Sequence, residues 1–245
     1  MLDFLMISTR PGKRGTIEIY PRFIIKKSSD LMIRGGDFYA FWLEKENRWS
    51  TEEQDVIDAI DGALDKYFEE NKSRFDVPIR VMHMWDAETG TIDSWHKYCQ
   101  KQMKDSFHML DEKVIFSNTM VTKKDYASKS LSYPLESSAT PAYDKLMSTL
   151  YTPEERKKIE WAIGSVVNGD SKKIQKFLVL YGAAGTGKST VLNIIQQLFE
   201  GYYSVFDAKS LGSSNNSFAL EAFSNNPLIA IQHDGDLSHI EENRR

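Results

Sequence analysis

A chain of 245 residues, 41% hydrophobic and 27% charged, has the composition of a soluble globular protein and room for one large or two modest domains. The net charge of −4 supplies no global basic field, so any contact with nucleic acid has to use local patches. The single cysteine, Cys99, excludes an intrachain disulfide and a cysteine-rich zinc site and fits a reducing, cytoplasmic compartment, while the opening MLDFLMIS is too short to span a membrane and has no basic region before it.

Residues 1–45 read as β-rich. Leu2 to Ile7 is an apolar run, Arg10-Pro11-Gly12 is turn chemistry, and TIEIY (Thr16 to Tyr20) alternates before Pro21. Phe23 to Ile25, and Phe38 to Leu43 after the turn Gly35-Gly36, complete a small predicted sheet. Arg10, Lys13, Arg14, Arg22, Lys26, Lys27 and Arg34 cluster here, as a solvated sheet edge or a nucleic-acid contact. Ser50 and Glu53 have the spacing of a capping box, opening a helix whose apolar face is Val56, Ile57, Ile60, Ala63, Leu64, Tyr67 and Phe68. Trp95, Tyr98, Cys99, Gln102 and Met103 predict a second helix over 94–104, with its aromatic residues in the core; Trp85, Trp95 and His96 as a base-stacking platform is the other reading.

Lys113 to Thr122 reads as strands around a turn at Ser117-Asn118, followed by the basic residues Lys123, Lys124 and Lys129. The two prolines and small polar residues of 132–141 mark the domain junction, dividing an α+β module with its connector (1–140) from a C-terminal domain (141–245). A helix from Ala142 to Leu150 leads to Thr152-Pro153-Glu154-Glu155, a capping box with proline at the first helical position. Ile159, Ile163, Val166 and Val167 form the next apolar face, and Asn168-Gly169 ends it.

The centre of the chain is FLVLYGAAGTGKS, Phe177 to Ser189. Phe177 to Tyr181 predicts a short buried strand, Gly182, Gly187, Lys188 and Ser189 have the G-x-x-x-x-G-K-S spacing of a phosphate-binding loop, and Val191, Leu192, Ile194, Ile195, Leu198 and Phe199 recur at helical spacing up to Gly201. Binding a triphosphate through main chain needs several N–H groups converging on one concavity, which glycines permit and a helix start reinforces. The expected nucleotide contacts are Gly182, Ala183, Ala184, Gly185, Thr186, Gly187, Lys188, Ser189 and Thr190, with Lys188 on the β and γ phosphates of ATP and the Ser189 hydroxyl on Mg²⁺. Hydrolysis also needs an acid at the end of a neighbouring strand. Leu228 to Ile231, leading into Gln232-His233-Asp234-Gly235-Asp236, provides one; Asp234 is nearer the strand, and the choice between Asp234 and Asp236 as catalytic and metal-holding residue stays open.

The run from Ile159 to Thr190 resembles the superfamily 3 helicase domain of phage and plasmid primase-helicases, where a helix and a Gly-Asp turn (Gly169-Asp170) lead into the first strand and phosphate loop. GGDFYAFWLEKENRW, Gly35 to Trp49, is similar to the N-terminal module shared with poxvirus primase-helicases, and Asn118-Thr119 to Lys129 with Ala142-Tyr143-Asp144 resembles the connector. The resemblance implies an α/β fold, an AAA+-related P-loop NTPase core preceded by an α+β module, and an ATP-driven, ring-forming helicase acting on DNA. Lys188 and Ser189 carry over directly, and Asp236 or Asp234 as the second acidic motif, although Gly235 separates acids that are often adjacent in the family. Because the sequence ends nine residues past Asp236, before any sensor asparagine, DNA-gripping hairpin or arginine finger, it reads as an incomplete core, the N-terminal part of a longer helicase. Another P-loop enzyme such as a small kinase, or a DNA- or partner-recruiting module without turnover, are the alternatives.

Overall fold

In the computed structural model, residues 2–24, 28–34, 38–86, 90–101, 108–208, 220–224 and 226–233 are described. The chain is mixed α/β and divides into two compact units, Met1–Met109 with Thr122–Ser128, and Leu110–Val121 with Lys129–Arg245.

In the first unit, β1 (Leu5–Pro11) and β2 (Ile17–Phe23) form an antiparallel hairpin, and β6 (Ile79–Val81) joins β2 in parallel. The second strand, expected to stop before Pro21, runs on to Phe23. β6 pairs only with Ile17 to Ile19, so at Pro21 the strand has a neighbour on one side alone, where proline is tolerated. A second sheet is the antiparallel meander of β3 (Leu31–Arg34), β4 (Phe38–Leu43) and β5 (Arg48–Ser50). The sequence reading did not anticipate β3, and the turn Gly35-Gly36 lies outside the described residues.

Helix α1 (Glu53–Asn71) buries Val56, Ile57, Ile60 and Leu64, the face its periodicity predicts. It does not open with the expected capping box. Ser50 is held as the last residue of β5, opposite Phe41, and its Oγ accepts from the Glu52 N–H at 3.1 Å, so the helix starts three residues later, without a side-chain cap. Helix α2 (Thr91–Lys101) inserts Trp95, Tyr98 and Cys99 into the same core, with Trp95 and Tyr98 ring centroids 5.6 Å apart and Phe4 5.8 Å from Trp95. Trp95 is therefore core, not a stacking platform; Gln102 and Met103 lie outside the described residues. The strip 122–128 returns to this unit: the Trp49 N–H donates to the Ala127 carbonyl at 2.8 Å, its Nε1 donates to the Lys123 carbonyl at 3.0 Å, and Lys123 pairs with Asp30.

In the second unit, Val114, Ile115 and Phe116 are buried and the Ser117-Asn118 turn forms, but the expected strands do not. This segment meets residues 131–133 through isolated bonds, Leu131 N–H to the Ile115 carbonyl at 2.7 Å and Ser117 N–H to the Tyr133 carbonyl at 3.1 Å, too few for a ladder. Helices α3 (Pro141–Leu150) and α4 (Pro153–Val167) follow. The second predicted capping box is present: Thr152 Oγ1 accepts from the Glu155 N–H at 3.3 Å and the Glu155 carboxylate from the Thr152 N–H at 2.8 Å. After the short α5 (Ser171–Ile174) come α6 (Lys188–Leu198), β7 (Tyr203–Val205) and β8 (Ile229–Ile231), the two strands pairing in parallel. Met147, Ile159, Val191, Ile195, Phe199, Tyr202 and Ile231 form the core with Val114, Phe116 and Leu131. The Tyr202 hydroxyl, fully enclosed, accepts from the Ile115 N–H at 3.2 Å and donates to the Lys129 carbonyl at 2.8 Å. No helix among the described residues is long and apolar enough to cross a membrane.

Candidate functional site

The apolar run before the glycine loop corrects the sequence reading. Phe177 to Tyr181 pairs with no described strand and is not buried: Phe177, Val179 and Tyr181 are 88%, 65% and 100% exposed. The alternation of a strand survives in part, because Leu180 packs against the core while its neighbours face outward. Leu178 and Leu180, with Trp161 and Ile163 of α4, Leu192 of α6 and Ile231 of β8, line an apolar cavity of about 450 Å³. A strand needs a neighbour to take its backbone hydrogen bonds, and among the described strands β7 and β8 pair only with each other.

The loop itself is tightly turned. Gly185 and Gly187 have φ of 79° and 78°, the left-handed region that side chains disfavour. At Gly187 a Cβ would also stand 2.6 Å from Leu150 Cδ1, so a side chain there has to displace Leu150 as well as hold a strained φ. Immediately after it, α6 begins at Lys188. The backbone N–H groups of Gly185, Gly187, Lys188 and Ser189 meet no acceptor among the described residues, as a helix start requires. Ala183, Ala184, Gly185, Thr186, Ser189 and Thr190 are open to solvent.

Lys188 folds back across the loop. Its ammonium donates to the Gly182 carbonyl at 2.9 Å, the Ala183 carbonyl at 2.6 Å and Thr186 Oγ1 at 3.3 Å, while Thr186 Oγ1 itself donates to the Ala183 carbonyl at 2.9 Å. These partners are neutral oxygens, so the ammonium keeps its charge uncompensated by any described carboxylate. N–H donors at a helix start, one lysine cation and an exposed serine hydroxyl fit a polyphosphate ligand. No group of three or more His, Cys, Asp or Glu among the described residues could hold a metal ion. Were magnesium to bind with the phosphates, the exposed Ser189 hydroxyl is the oxygen ligand the loop itself offers.

Of the predicted run Leu228 to Ile231, Ile229–Ile231 forms strand β8 while Leu228 is a bend before it, and the segment after β8 lies against the loop's own helix: the Gln196 side-chain amide donates to His233 Nε2 at 3.1 Å. Gln196 is eight residues, about 12 Å, along α6 from Lys188. Asp234, Gly235 and Asp236 lie outside the described residues.

The other singled-out residues are dispersed. Arg10 pairs with Glu18 at 2.8 Å, His96 with Glu53 at 2.8 Å, and Lys129 stands 3.8 Å from Asp111 and 5.0 Å from the Tyr202 ring. Trp85 is 58% exposed, apart from Trp95, and Lys26 and Lys27 are outside the described residues. The sequence reading missed Lys97 and Lys101, one turn apart on α2, whose i, i+4 spacing was the available signal. Comparison with family models, with curated proteins and with solved structures gives no match.

Proposed function

We propose that this chain binds ATP with Mg²⁺ through Gly182 to Thr190 and belongs to an ATP-hydrolysing DNA helicase of the primase-helicase type, acting in phage or plasmid replication in the cytoplasm. The single observation that carries the reading is the left-handed glycine loop opening α6, with the Lys188 ammonium poised over it among neutral oxygens. The motif's spacing and the superfamily 3 resemblance of Ile159 to Thr190 support the same conclusion. In this reading Lys188 leaves the carbonyls of Gly182 and Ala183 for the β and γ phosphates. Ser189 contributes its hydroxyl to the magnesium shell, and Asp234 or Asp236 beyond β8 holds the metal's water and orients the attacking one. The full-length protein then acts as a homo-oligomeric ring on DNA.

The test is ATP affinity by calorimetry, with and without Mg²⁺, for this chain and for Lys188→Ala. A loss of more than tenfold, about 1.4 kcal/mol, is expected for the variant; equal affinities overturn the nucleotide site. Hydrolysis stimulated by single-stranded DNA supports the helicase reading, whereas phosphoryl transfer to a small acceptor without DNA stimulation makes it a kinase-like enzyme.

A further inference from the structure

The first unit carries a cavity of about 410 Å³ between the β1–β2 hairpin and α2, unused by the proposal above. Its lining combines four cations with aromatic walls. Arg10 comes from β1, Arg22 from β2, and Lys97 and Lys101 from α2, with Tyr20, Phe23 and Tyr98 between them. Register explains how the strands contribute: Arg10 stands opposite Glu18 and Met6 opposite Arg22, and residues two apart share a face, so Arg10, Tyr20 and Arg22 project from one side of the hairpin. On α2, Thr91, Ser94, Lys97, Tyr98 and Lys101 fall on one face by helical spacing.

The charge around this cavity is largely uncompensated. Glu18 pairs with Arg10 and the Arg10 guanidinium lies 4.8 Å from the Tyr20 ring centroid, but Arg22, Lys97 and Lys101 make no ion pair among the described residues. Like charges one turn apart destabilise a helix, and a second like charge across a concavity adds to that, so an anion in the cavity is favoured. Lys97 and Lys101 are separated by about 6 Å along the helix axis, which suits successive charges on a chain better than one compact ion.

We infer that this cavity binds the phosphodiester backbone of single-stranded nucleic acid, with Lys97 and Lys101 on adjacent phosphates and Arg10, Tyr20 and Arg22 forming the opposite wall. Cations alternating with rings are the features by which sequence-tolerant single-strand binders hold backbone and bases. The site is confined to the first unit and needs neither nucleotide nor turnover, so it stands or falls separately from the loop.

The experiment is fluorescence anisotropy of the full chain with a labelled oligothymidylate of about 12 nucleotides over a series of salt concentrations. Lys97→Gln/Lys101→Gln should weaken binding more than tenfold and reduce the salt slope by about 1.4, two contacts at about 0.7 each. Lys97→Glu/Lys101→Glu should weaken it further. Lys13→Glu/Arg14→Glu, a charge change outside the cavity lining, should alter it less than about twofold, and Lys188→Ala should leave it unchanged. Unchanged affinity and slope in the glutamine variant overturn the proposal, as does an equal loss in the Lys13/Arg14 variant, which marks diffuse charge attraction. Displacement by inorganic triphosphate at matched phosphate concentration also overturns it, making the ligand a free polyphosphate.

Discussion

At the scale of single residues, two glycines of nearly identical φ separate backbone strain from steric exclusion. Gly185→Ala meets nothing within 4 Å and should cost only the left-handed penalty, about 1–2 kcal/mol. Gly187→Ala adds the collision with Leu150 and should cost measurably more in urea unfolding; equal losses would mean that Leu150 yields freely. Buried acids give a pH prediction. Burial, helped by Glu53, raises the Cys99 thiol from 9.0 to about 12, and burial raises the phenols of Tyr98 and Tyr202 from 10.0 to about 12. Between the unfolded and folded values the native chain keeps protons that the unfolded chain releases. Their contribution is therefore complete below pH 9.0 and is lost as pH climbs towards 12. Urea midpoints at pH about 8 and about 10.5 should show this fall, with Cys99 unreactive to thiol reagents until the chain unfolds. Tyr202→Phe strips the Ile115 N–H of its acceptor and should cost about 1–3 kcal/mol in the same assay.

Among the elements, local pattern is decisive only where nothing else claims the residues. Ser50 to Glu53 and Thr152 to Glu155 have the same capping spacing, yet only the second forms. Ser50 is already committed to β5 opposite Phe41, a pairing that its own four residues do not reveal, whereas Thr152 stands in the two-residue link between α3 and α4 and belongs to no described strand. Thr152→Ala should therefore destabilise by about 1 kcal/mol in chemical unfolding. The amphipathic faces of α1 and α4 were legible because a 3.6-residue period is written within one segment. Phe177 to Tyr181 was misread for the converse reason: apolar content was visible, but a strand's neighbour lies elsewhere in the chain. The glycine loop and its helix were legible down to Gly187 and Lys188, because left-handed geometry selects glycine locally. The remaining one-sidedness of 177–181 is testable: Leu180→Ala should cost about 1–2 kcal/mol, and Phe177→Ala should stay within about 0.5. Removing Phe177 and Val179 together should also reduce self-association in gel filtration, since both present bare apolar surface.

For the molecule as a whole, the two units are interleaved in sequence: residues 110–121 belong to the second, 122–128 to the first, and 129 onward to the second again. The junction expected at 132–141 therefore falls inside the second unit. A chain cut after residue 140 would leave Val114, Phe116 and Leu131 on the wrong side of the break from Met147, Ile159 and Tyr202. Residues 141–245 alone should bind a hydrophobic dye and lack a cooperative melting transition, in contrast to 110–245. The crossing also orders the events of synthesis. Trp49 must wait for Ala127 to leave the ribosome before its main-chain bond can close, and by then residues 110–121 have already emerged ahead of their partners Leu131 and Tyr133. The two halves are thus born overlapping in time, since residues 110–121 of the second unit are made before residues 122–128 complete the first.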